Sequence, residues 1–91
     1  MKQRIHITVS GLVQGVFFRK YTANKCIALG ILGSIENLAN GNVFIDAVSD
    51  DSGLKELIKW CWSGSPFSNV SDVHTQYVEL GHQPEGFIIK R

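Results

Sequence analysis

The chain has no apolar run approaching the roughly 20 residues a membrane-crossing helix needs, only two cysteines and two prolines, and no block of like charge. Each shortage excludes a class of function. Without a long apolar run there is no spanning segment, and Met1-Lys2-Gln3-Arg4 leads straight into alternating residues rather than a signal-peptide core. A cytoplasmic protein is therefore expected, in which the sequon Asn69-Val70-Ser71 has no consequence. Cys26 and Cys61 fall on different expected helices and lack a C-x-x-C partner, so neither a zinc site nor a redox motif follows. Packed, reduced thiols are expected; a disulfide is conceivable only if the two helices lie side by side with suitable geometry. Lys and Arg total 9 against 8 Asp and Glu, a net charge of +1 that leaves neither a basic nucleic-acid stripe nor an acidic tail. Any steering of a charged substrate is local.

The chain also lacks the usual catalytic constellations. Neither cysteine is followed by the arginine of a C-x5-R phosphatase loop. Asp50-Asp51 lacks the spaced pair of aspartyl-phosphate enzymes and reads as the start of a helix. His6, His74 and His82 show no metal-ligand spacing. Trp60, Trp62 and Tyr77 could stack bases, but both tryptophans sit in a helical pattern and no RNP motif is present. With no repeat and no low-complexity tract, residues 1–91 are expected to form one domain built on one pair of packed layers.

What is present is a clear order of elements. Ile5, Ile7 and Val9 alternate with polar residues in a first strand running to about Val13. A Gly-bracketed turn follows, then Phe18, Thr22, Cys26 and Leu29 recur at helical spacing up to Gly30. Ile31 to Asn37 reads as a second strand, Asn40-Gly41 as a hairpin turn, and Asn42 to Val48 as a third strand. Asp50-Asp51-Ser52 opens a second helix with Leu54, Leu57, Ile58 and Cys61 inward, ended by Gly64 and Pro66. Val70 to Leu80 makes a fourth strand and Phe87-Ile88-Ile89 a short fifth. The fold class is thus α+β: a ferredoxin-like βαββαβ sandwich, two helices on one face of an antiparallel sheet, with a short C-terminal fifth strand.

In that plan the first two strands run parallel with another between them, so their C-terminal ends share a rim. The turn after the first strand and Asn37 at the end of the second therefore meet. At a strand–turn–helix junction the first helical N–H groups have no intrahelical partner and, with the glycine turn, can surround an anion. Arg19, in the first helical turn, adds charge and a planar fork of donors.

The segment Val9-Ser10-Gly11-Leu12-Val13-Gln14-Gly15-Val16-Phe17-Phe18-Arg19 matches V-x-G-x-V-Q-G-V-x-F-R, and the chain on this ground resembles the acylphosphatase family. The resemblance continues through Leu29-Gly30, the Gly33 to Val43 segment with Asn37, the Trp60-Cys61 helix with Gly64-Ser65-Pro66, and Phe87-Ile88-Ile89. It implies a hydrolase that cleaves acyl phosphates to a carboxylate and inorganic phosphate without metal or cofactor. It implies a cradle of Gly11, Val13, Gln14, Gly15, Val16, Phe17, Phe18 and Arg19 around the phosphate, with Arg19 and Asn37 catalytic. Asn37 would orient the attacking water. Implied partners are small acyl phosphates and inorganic phosphate, with no nucleic acid or membrane and a monomeric state.

The chain departs from the family pattern at Ser34, where an aromatic is usual, at Glu36 and Ser49, and at Leu12, where a basic residue is common. Arg19, Asn37 and the cradle glycines are intact. On an alternating strand Glu36 faces away from Asn37. The competing expectation is a binding module that holds a phosphate-bearing ligand such as carbamoyl phosphate, like the similar domains of hydrogenase-maturation carbamoyltransferases. A chain starting at Met1 and ending four residues after Phe87 is expected to be free-standing instead.

Overall fold

The structure, a computed structural model, describes Met1 to Lys90. Its elements are β1 (Gln3–Leu12), α1 (Phe18–Leu29), β2 (Leu32–Asn37), β3 (Val43–Ser49), α2 (Asp51–Ser63), β4 (Asn69–Val78) and β5 (Phe87–Ile89). β1 forms because apolar and polar residues alternate, so Ile5, Ile7 and Val9 all reach full burial on one face. α2 starts where the Asp50 side chain accepts the backbone N–H of Gly53 at 2.9 Å. That hydrogen bond, with a second from Ser52, holds the Asp50 carboxyl below the usual carboxylate range. α1 ends at Gly30, whose φ of 72° closes the helix with Ile31 N–H donating to the Cys26 carbonyl at 2.9 Å.

The strands lie in the order β4-β1-β3-β2-β5. β3 pairs antiparallel with both β1 and β2, so Ile45 stands opposite Ile7 on one side and Ile35 on the other. This row of fully buried isoleucines is the floor of the core, and Phe18 and Cys26 of α1 and Leu54, Leu57 and Cys61 of α2 close over it. Phe18 meets Trp60 edge to face at 5.5 Å between centroids, tying the start of α1 to α2.

The expected architecture is present, with four differences of detail. β5 joins β2 in parallel, Ser34 opposite Ile88, so the sheet is mixed rather than wholly antiparallel. Leu29 is 38% exposed, and the inward stripe of α1 is Phe18, Thr22, Ala23 and Cys26. The β2–β3 turn takes five residues, Leu38 to Asn42, closed by Leu38 N–H donating to the Asn42 carbonyl at 2.8 Å. β4 also stops at Val78, short of Leu80.

On the face away from the helices, Arg4 grips Asp46 through both carboxylate oxygens, Nε to Oδ1 at 2.8 Å and Nη2 to Oδ2 at 2.6 Å. Arg4 Nη1 also donates to the carbonyls of Leu80 and His82, anchoring the β4–β5 connection. The Arg4 hydrogen bonds hold the Asp46 carboxyl below its usual range, and His6 Nε2 lies 3.2 Å from the same group.

Candidate active site

β1 and β2 both oppose β3, so they run parallel and end at one rim, β1 at Leu12 and β2 at Asn37. Between them opens a pocket of about 510 Å³. The turn contributes Val13, Gly15 and Phe17, the start of α1 contributes Phe18, Arg19 and Lys20, β2 contributes Asn37, and β5 contributes Ile89. Residues that the sequence separates by a helix and a strand thus line one cavity. Register explains the placement of Asn37: it stands opposite buried Val43, on the helix side, whereas Glu36 stands opposite Phe44 on the other face. No carboxylate is among the lining residues.

Several ties shape the turn. The Ser65 hydroxyl, in a residue only 3% exposed, donates to the Val16 carbonyl at 2.8 Å and fastens the turn to the segment after α2. Gln14 Nε2 donates to the carbonyls of Leu38 and Asn42, both at 2.8 Å, so the turn is clamped to the loop immediately after Asn37. Arg19 Nη1 donates to the Lys90 carbonyl at 3.0 Å. That bond uses one of the guanidinium donors and leaves the remainder of the fork for the cavity.

The cradle residues divide into two sets. Val13, Gly15, Phe17, Phe18 and Arg19 line the pocket; Gly11, Gln14 and Val16 do not. Gly11 sits at a bulge between β1 and β4, where a β-carbon would run into the backbone of Asn69 and Ser71. Its position is explained by strand pairing. Gln14 and Val16 act on the turn through the ties above. Sequence reasoning missed Lys20 and Ile89 in the lining and the Lys90 carbonyl on Arg19. Lys20 carried a signal, adjacency to Arg19 at the helix start; the other two depend on β5 joining beside β2. Ser65 belongs to the Gly64-Ser65-Pro66 segment after α2, and its tie to Val16 spans 49 positions.

Cys26 and Cys61 are both free and fully buried. Burial pushes the Cys26 thiol up to about 12 and raises Cys61 as well. Neither lines the cavity.

Fold and pocket define a class: a small two-layer α+β domain with a cavity at one rim of its sheet lined by two cationic residues, Arg19 and Lys20, and by Asn37. Residues 5–89 match the family model described as Acylphosphatase. The chain is 38% identical over 88 residues to an acylphosphatase of Pelotomaculum thermopropionicum, covering 97% of this chain and 96% of that one. It is 41% identical over 85 residues to one of Haloquadratum walsbyi, covering 93% and 87%. The solved structure of an acylphosphatase from Coxiella burnetii superposes with a TM-score of 0.93 at 34% identity, covering 98% of this chain and 93% of that one. This chain belongs to the acylphosphatase family, and it is a hydrolase of acyl phosphates.

Proposed function

We propose that the rim pocket is the catalytic site, that Arg19 and the backbone N–H groups of the Val13–Phe18 turn hold the phosphate of an acyl phosphate, and that Asn37 positions the attacking water. The observation that carries this reading is the convergence of Arg19 and Asn37, from α1 and β2, on one cavity. The water oxygen forms its bond to phosphorus as the bond from phosphorus to the acyl oxygen breaks. The carboxylate leaves with that electron pair, and the proton of the water passes to phosphate or solvent. Because a carboxylate leaves readily, the step asks for no general acid. Asn37 is no strong base, but its amide oxygen accepts a hydrogen bond from water and so aims the lone pair. Arg19 and the turn act on charge gathering on the equatorial oxygens; a donor worth about 3 kcal/mol in the transition state alone accounts for roughly a hundredfold in rate.

The same reading takes residues 1–91 as one domain, working as a cytosolic monomer on small acyl phosphates without metal, cofactor, nucleic acid or membrane. Its test is an assay of chelator-treated protein with benzoyl phosphate, with competition by inorganic phosphate. Arg19→Ala is expected to lose both phosphate affinity and turnover. Asn37→Ala is expected to keep phosphate affinity and lose about 100-fold or more in turnover, the scale of a positioning group. Equal loss of affinity in both variants overturns the division of roles. A folded wild-type protein that binds phosphate without hydrolysis supports a binding module instead.

A further inference from the structure

A second depression, of about 330 Å³, adjoins the rim pocket along the outer face of α1. Its walls are Phe17, Lys20, Tyr21, Asn24 and Phe67, and it shares Phe17 and Lys20 with the rim pocket. The spacing of 17, 20, 21 and 24 is one helical face, so the depression follows from the phase of α1. Phe67 joins from the connection between α2 and β4, the segment whose Ser65 already fastens the cradle turn.

Three large aromatic side chains around this depression are held out of the core. Phe17 is 64% exposed, Tyr21 44% and Phe67 70%. Phe17 is also the one non-glycine residue with positive φ among the described residues, at 61°. That conformation is costly for a bulky side chain and here places an aromatic ring at the mouth of the site rather than inside the protein. Exposed aromatic area gathered at a pocket mouth is a mark of ligand contact.

We infer that this depression is the subsite for the acyl group, and that Tyr21 and Phe67, with Phe17, make the enzyme selective for acyl phosphates bearing a planar apolar group over those bearing a small one. The inference rests on the proposed catalytic site. In-line displacement puts the leaving carboxylate opposite the attacking water. Asn37 lines the rim pocket but not the second depression, and the wall common to both is Phe17 and Lys20. The shared wall gives an acyl group on a phosphate held in the rim pocket a route, on the side that Asn37 does not line, into the aromatic depression. The Lys20 ammonium, at the crossing, suits the carboxylate charge that appears there.

The test compares kcat/KM for benzoyl phosphate and acetyl phosphate in the wild type, Tyr21→Ala and Phe67→Ala. Both side chains are exposed, and circular dichroism checks that the variants fold. Each substitution is expected to lower kcat/KM for benzoyl phosphate about tenfold, as loss of an aromatic contact does. Acetyl phosphate turnover and inhibition by inorganic phosphate are expected to stay within about twofold. Turnover of both substrates with an unchanged ratio in both variants overturns the subsite while leaving the catalytic reading standing. Failure of the wild type to hydrolyse either substrate overturns both.

Discussion

Gly15 separates the demands of folding from those of the proposed anion site. Its φ of 74° lies in the left-handed region, and a β-carbon added there meets nothing within 4 Å. Gly15→Ala is therefore expected to fold, at a cost of about 1 kcal/mol for the backbone conformation. The same β-carbon occupies the lining of the rim pocket. Inhibition by inorganic phosphate is expected to weaken about tenfold or more, because the backbone no longer approaches the anion closely. Thermal unfolding and the phosphate inhibition constant, measured side by side, check this; intact inhibition with the expected stability loss removes Gly15 from the proposed cradle. Gln14 makes the complementary case. It does not line the pocket, yet its amide bridges the turn to the Leu38 and Asn42 carbonyls beside Asn37. With Asn37 in its proposed role, Gln14 acts through the placement of that residue, so Gln14→Ala is expected to lower kcat more than it weakens phosphate binding.

At the scale of elements, β5 does more than extend the sheet. It runs parallel to β2, and the residue after it, Lys90, both donates its N–H to the Ile35 carbonyl at 2.9 Å and offers its own carbonyl to Arg19. The tether on Arg19 is thus a backbone atom held by a strand register. Lys90→Ala keeps that carbonyl and is expected to leave kinetics unchanged, whereas a chain ending at Ile89 is expected to raise KM about fivefold through a less restrained guanidinium. Equal KM values in the two proteins refute a role for the tether. Across the sheet, Arg4 joins β1 to β3 through Asp46 and to the β4–β5 connection through Leu80 and His82. Asp46 has a depressed carboxyl, so its stabilising contribution is fully present above its unfolded value of about 3.9 and is lost as pH falls through the folded value. Asp46→Asn is expected to cost about 1–2 kcal/mol at neutral pH and to flatten the acid limb of the stability curve, with kcat unaltered. Urea unfolding between pH 3 and pH 7 measures both effects.

At the scale of the molecule, local patterns in the sequence reach far but stop at long-range pairing. The alternation Ile5, Ile7, Val9 and the acidic start of α2 gave β1 and α2 directly, because each depends on neighbours within a few residues. The βαββαβ order by itself brings Arg19 and Asn37 to one rim. The parallel docking of β5, the Lys90 carbonyl on Arg19 and the Ser65 tie to Val16 join residues 49 or more positions apart, and no local pattern encodes them. Exposure of Leu29 is likewise not encoded locally, since helical spacing fixes a face of α1 but not how far along that face the core extends. The two cysteines report on the molecule as a whole. Cys26 on α1 and Cys61 on α2 are both fully buried in the one core cluster, and burial keeps both thiols protonated far above neutrality. A reagent that needs thiolate can reach neither without opening the layer between helices and sheet. Labelling by a thiol reagent at pH 8 is therefore expected to show a single phase for both residues, falling in step with stability as urea is removed. Because the folded thiols titrate above the unfolded value of about 8.5, their contribution is complete below that pH and declines toward about 12, where Cys26 ionises in place. The urea midpoint is expected to drop as pH rises from 8 to 10, and Cys26→Ala to reduce that drop despite its own packing loss. Fast labelling of one thiol in the absence of urea would show that a helix lifts from the sheet independently, and the core would then be two cooperative units rather than one.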